Sequence, residues 1–387
     1  MATEVTRIVD PGEGGGYHYS TLDAWEDALG GTTTGHLVND DMIAIAQCRD
    51  SSGVTPDVTA VDILGWTTDA TRYIAVIGID FPSDGIFDAT KYHLAVTDAT
   101  ALGVTEEYVR IRNIQVSVTS ASGTAIGLRV NAGVATTDIL FDSCIIKGTC
   151  SGSGSGYGIL VGDADAIVTV TNCVAYGFIS GSDTGFYGIL SSASTAMNVY
   201  NCTVYNCYRG IGRSAGTVTA TNCAVFNCTD DFYGTITMTY CASDDDHTGD
   251  SATNVTITQQ GDPVDYAALV TNAAGGDFSV TDVNSELYDA GTPDLFTEDD
   301  DIIGTARPQG DHWDIGAFEL VAAGSSSSSH SSSSSSVSSS HSSSSHSSSS
   351  HSSSSHSSSS SSVSSSSSSV SSSHSSSSHS SSSSSNT

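Results

Sequence analysis

The chain has 387 residues, 43 of them acidic and 11 basic, for a formal net charge of −32. That balance argues against nucleic acid as a partner, because phosphate contacts need Lys and Arg. It also repels anionic membranes and polyuronate chains unless cations bridge them. No run reaches 18 consecutive apolar residues, so no membrane-spanning helix is expected. The start MATEVTRIVDPG has no apolar leader and the nine cysteines are an odd number, so synthesis in a reducing cytoplasm with free thiols is expected.

Residues 1–38 read as an entry module. Thr6 to Val9 is a strand pattern, and Asp10 to Tyr19 is a Gly-rich turn. Ser20-Thr21-Leu22-Asp23 has capping-box spacing with Ser20 at the cap. Leu22, Trp25, Ala28 and Leu29 then form one apolar helical face, suited to covering the open end of a solenoid. The run IVDPGEGGGYHYSTLDAWEDAL resembles the N-terminal entry of pectin-lyase-like right-handed parallel β-helix proteins. The resemblance implies that fold and supplies no catalytic residue.

Residues 39–285 read as coils. Strands are expected over Met42 to Gln47, from Tyr73, over Lys91 to Leu94 and around Val104 to Val109. The phrase GWTTDATRYIAVIG resembles proteins of tailed-phage and environmental-virus genomes, which implies a virion association.

An internal repeat follows. The segments VRIRNIQV, ILFDSCII, VTVTNCVA, MNVYNCTV, VTATNCAV and ITMTYCAS begin at Val109, Ile139, Val168, Met197, Val218 and Ile236. A second column, Gly127-Leu128, Gly158-Ile159, Gly188-Ile189, Gly210-Ile211 and Gly234-Thr235, falls between them, so each repeat supplies at least two short β segments. Apolar and polar residues alternate, and no repeat holds a crossover helix. Strands stacked this way make an all-β, single-stranded right-handed parallel β-helix, with an N-terminal capping helix and a disordered Ser/His-rich tail. Asn172, Asn201 and Asn222 are expected to pair amide to amide along the axis. Cys144, Cys173, Cys202, Cys223 and Cys241 are expected to point inward as small hydrophobes. A metal site is a poor alternative for that column, because its ligands do not converge on one ion. Asn206-Cys207 and Asn227-Cys228 repeat the device five residues on.

Residues 286–323 read as a closing segment. Its run SELYDAGTPDLFTEDDDIIGTARPQGDHWDIGAFEL resembles the terminal segment of bacterial surface β-helix proteins that carry a low-complexity tail, and this implies the end of the solenoid. Arg307 is expected to pair with Asp314 or Glu319 and tie down the last coil. Residues 324–387 are Ser with interspersed His and Val, a composition too polar to order itself. A solvated linker is the default reading of this tail, and the functional alternatives are a stalk for homo-oligomer or virion assembly, a glycan carrier and a metal-binding tether.

Chemistry is less legible. Hydrolysis needs two carboxylates facing one groove about 5–10 Å apart, and uronate elimination needs an Arg or Lys base. Asp183, Asp230, Asp231, Arg209 and Arg213 are the candidates, none at a diagnostic spacing. Asp244, Asp245, Asp246 and Asp250 offer several oxygens in seven residues and form the candidate calcium loop, calcium being the one cofactor suggested. The leading expectation is a structural or adhesive surface protein, virion tail or fibre associated, with a glycan ligand and no enzymatic activity. The alternative is a polysaccharide lyase or glycoside hydrolase acting on an extracellular glycan.

Overall fold

Alternation along the repeat places the core. The first and third residues of each segment, such as Val109 and Ile111 or Val168 and Val170, are fully buried. Of those between them, Arg110, Asn198 and Thr219 stay partly exposed, while Leu140 and Thr169 are buried. The computed structural model describes residues 2–12, 18–30, 37–131, 138–151, 153–162, 166–180, 185–193, 196–245, 253–261, 265–293 and 300–321, all in the first of the chain's two units, Met1–Ser328. The tail expected from residue 324 lies outside the described residues.

Among the described residues, three parallel sheets of ten, eight and seven strands make this unit, with one antiparallel pair, Val270–Asn272 and Asp277–Val280. One turn of chain visits each sheet once. Val109–Arg112 lies in the first sheet, Gln115–Ser120 in the second and Thr124–Val130 in the third; Asp138–Asp142 then returns beside Val109–Arg112. This is the expected parallel β-helix, with three strands per coil, and the crossover preference of L-residues gives it the right hand. No described helix is long and apolar enough to cross a membrane.

The six segments stack as aligned. Val109 pairs with Ile139, Ile139 with Val168, Val168 with Met197 and Met197 with Val218, while Thr219 pairs with Thr237. Position five is a corner between the first and second sheets. Asn113, Ser143, Asn172, Asn201, Asn222 and Tyr240 all have φ between 49° and 55°, the left-handed region that Asn tolerates better than most side chains. Backbone geometry therefore favours Asn there before any ladder does. The amide ladder itself is partial. Asn222 Nδ2 donates to Asn201 Oδ1 at 3.1 Å and to the Thr292 carbonyl at 2.8 Å, while Asn172 Nδ2 donates to the Asp300 carbonyl at 3.1 Å. Asn206 and Asn227, with φ of 52° and 56°, make the corresponding corner between the second and third sheets.

The five-cysteine column points inward and is buried, and all nine cysteines are free. Cys144 N donates to Cys173 Sγ, and Cys173 N to Cys202 Sγ, each at 3.4 Å. Burial pushes the Cys144 and Cys173 thiols well above the usual range, so they stay protonated and unreactive. The column ends differently: Cys241 N donates to Asn254 Oδ1 at 3.0 Å, so Asn254 continues the inner network and is no surface residue.

The entry helix, Leu22–Leu29, is capped one residue later than expected, with Thr21 Oγ1 accepting from Ala24 N at 3.0 Å. Asp57 Oδ2 takes the Leu22 N–H at 2.7 Å, satisfying a second free donor of the first turn. Its inner face is Leu22, Trp25 and Glu26, whereas Ala28 is exposed. Glu26 is tolerated inside because its Oε1 accepts from Leu64 N and Trp66 Nε1, both at 3.0 Å.

The closing segment, together with the residues from Tyr266 that precede it, does more than end the last coil. It folds back along the outer face of the second sheet. Ile145, Val174, Ala224 and Ala242, the seventh residues of four repeats, are covered there by Leu269, Phe278, Ile315 and Phe318. Ala317 N donates to Thr203 Oγ1 at 2.9 Å and Gly316 N to the Asn222 carbonyl at 2.8 Å, so the contact crosses coils. Arg307 is fully buried and meets Glu319 at 3.4 Å. It also donates to the Asp314 and Gly316 carbonyls, at 3.0 and 2.9 Å. The expected Arg307–Glu319 tie therefore holds the covering layer.

Candidate functional site

The third sheet ends in the strand Asp230–Tyr233, registered on Arg209–Arg213 through Arg209 with Asp230 and Ile211 with Phe232. Asp231 therefore occupies the position that Gly210, Gly188, Gly158 and Gly127 hold in earlier coils. Glycine is required in those coils because a Cβ on Gly158 would sit 2.4 Å from the Gly188 carbonyl, and one on Gly210 would sit 2.2 Å from Val225. Among the described residues no strand of the third sheet follows it, and the last position has room for a carboxylate. Gly234-Thr235, expected to end this column, lies past the strand instead. Counting from the second corner identifies the true partner: Gly210 is four residues beyond Asn206, and Asp231 is four beyond Asn227.

Asp231 is fully buried. Its Oδ2 accepts from Ser243 Oγ at 2.7 Å and from Asp244 N at 3.1 Å, and its Oδ1 from Cys228 N at 3.3 Å. Asp245 Oδ2 accepts from Asp231 N at 2.8 Å, and Asp244 accepts from Asn227 N at 3.1 Å and from the Tyr266 hydroxyl. These carboxylates stand where the carbonyls of a further coil would be and satisfy the open edge of the ladder.

Oxygens of Asp231, Asp244 and Asp245 lie within 4.8 Å of one another. Burial, reinforced by the Asp244 charge, pushes the Asp231 carboxyl up to about 9, so it holds a proton at neutral pH. The structure thus brings catalytic candidate Asp231 together with calcium-loop candidates Asp244 and Asp245. The same three oxygens could hold a divalent cation in place of that proton. Asp246 and Asp250 lie outside the described residues, as does Asp183.

Arg209, Arg213 and Asp230 lie on the same strands. Arg209 bonds the Tyr187 hydroxyl and sits 3.5 Å over the Tyr233 ring. Tyr157 and Tyr187 stack at 5.8 Å in the neighbouring coils. This is a ladder of outward side chains in register, Tyr157 with Tyr187 and Tyr187 with Arg209. Arg213 Nε donates to the Gly216 carbonyl. The Asp231 carboxyl turns to Ser243 at the inner side of the sheet, away from the Arg209 ladder. Sequence reasoning missed Tyr187, Tyr233, Ser243 and Tyr266; the first two were legible as aromatics near the Gly column.

No family model matches the chain, and no curated protein does. Among solved structures it is similar to the crystal structure of pectate lyase Pel9A, with 12% identity and a TM-score of 0.31, over 82% of this chain and 97% of that one. The fold is established by the strand registers themselves.

Proposed function

We propose that the protein is a structural and adhesive β-helical surface protein, associated with a virion tail or fibre, that binds glycans without cleaving them. The observation that carries this reading is the engagement of Asp231, Asp244 and Asp245 by backbone N–H groups at the open end of the coils. Acids committed to backbone N–H groups, the innermost of them with no exposed surface, are poorly placed to reach a glycosidic bond. The GWTTDATRYI phrase supports the virion association, and the Ser/His-rich tail supports attachment or assembly through that end. The test is a panel of neutral and acidic polysaccharides assayed for retention, reducing ends and unsaturated uronate. Retention without either product is expected. Release of reducing ends or unsaturated uronate would make the protein a hydrolase or lyase.

A further inference from the structure

We infer that the corner between the first and second sheets carries a binding site for a neutral saccharide unit. This rests on the glycan-binding reading above and gives it a place and a ligand class. A cleft of about 350 Å³ opens where the covering segment crosses the Asn corner column. Its volume is at the small end of ligand pockets, about 300–1,000 Å³, and suits one or two sugar rings.

One wall is polar: Arg112, Asp142, Ser143 and Asn172. The other is apolar, from Phe81, Ile302 and Ile303. Asn172 is 2% exposed, and its Oδ1 has no hydrogen-bond partner. Its Nδ2 is committed to the Asp300 carbonyl at 3.1 Å, which fixes the amide orientation and leaves Oδ1 as an acceptor. Asn172 thus ties the Asp300 side of the cleft to the corner column, its own Oδ1 lying beneath the surface.

Charge selects the class. Arg112 and Asp142 lie 3.5 Å apart and balance, while Asp300 at the rim adds a negative charge. On a chain of net charge −32 this lining disfavours carboxylated or sulfated units. A neutral sugar ring matches it: hydroxyls donate to Asp142 and accept from Arg112, while the C–H face lies on Phe81 and the isoleucines.

Two variants test the site in the full chain. Ser83→Trp, at an exposed rim position, fills the mouth; Asn172→Gly keeps the left-handed corner and deletes the amide that ties the Asp300 side of the cleft to the column. Cello-, manno- and galacto-oligosaccharides and galacturonate oligomers are titrated by calorimetry, with melting curves recorded for each protein. A neutral oligosaccharide is expected to bind the wild type and to weaken about tenfold or more in both variants. Neutral binding unchanged in Ser83→Trp would overturn the site. Binding of galacturonate oligomers alone, insensitive to both variants, would overturn the site and leave the glycan-binding reading standing. Binding of no glycan at all would overturn both.

Discussion

The core inside the coils and the apolar layer on the flank of the second sheet bury similar side chains but arise in different ways. Inside, one coil repeats the last, so Val109, Ile139, Val168, Met197 and Val218 stack as equivalents. On the flank, a segment that repeats nothing lies across several coils, and its partners are outward residues of the repeat. Repetition builds the first; a single covering strap builds the second. A solenoid sheet bearing apolar residues on its outer face has to be covered, and the cover comes from elsewhere in the chain.

The sharpest test of that difference is one aromatic from each region. Phe141→Ala inside and Phe278→Ala on the flank should each cost about 3–5 kcal/mol, because both rings are buried to 1% exposure or less. A Phe278→Ala protein melting with the wild type would reduce the flank layer to decoration. Next in size is the corner column. Asn201→Ala should cost about 1–3 kcal/mol for the one Asn222 N–H left without its acceptor, and about 1–2 more for the left-handed backbone. Asn201→Gly keeps the backbone and should lose less; equal melting of the two variants would remove backbone geometry as the reason for Asn.

Acidity separates the regions further. Burial raises Asp231 at the coil end to about 9, and Asp314 and Glu319 in the strap to about 6 and 7. Unfolded carboxyls titrate near 4, so between about pH 4 and each raised value the folded state holds the extra proton. Stability is fully present below the unfolded value and falls as pH rises through that window. The melting temperature should therefore drop from pH 5.5 to 8.5. Glu319→Gln should remove the part lost near pH 7, and Asp231→Asn the part extending towards 9. A flat profile would contradict both assignments. The smallest expected effect is that of calcium, which would compete with the Asp231 proton for the same oxygens and should then raise melting more at pH 8.5 than at pH 5.5. No shift at either pH would leave the proton as the only occupant.

The coils were legible because stacking turns each inward position into a column of one residue type, as with Cys144, Cys173, Cys202, Cys223 and Cys241. The place of Asp231 in the Gly column escaped because the last repeat was aligned on its glycine instead of on the Asn227 corner. The strap was illegible because its segment has no period. Its imprint was nevertheless present: Tyr176, Tyr205 and Phe226 are register partners on the outer face of the second sheet, and all three pack beneath the strap. Of the candidate site, Asp231, Asp244 and Asp245 were named from sequence, but their convergence depends on two loops meeting at the coil end, which spacing does not encode.

The closing segment is a second layer bonded across coils. Amide hydrogen exchange measures it directly. The amides of Thr292, Gly316 and Ala317 donate to Asn222 and Thr203, so peptides covering residues 300–320 should be protected as strongly as the coil strand Asp138–Asp142. Exchange of those peptides within seconds, while Asp138–Asp142 stays protected, would show a loose terminus and contradict the account.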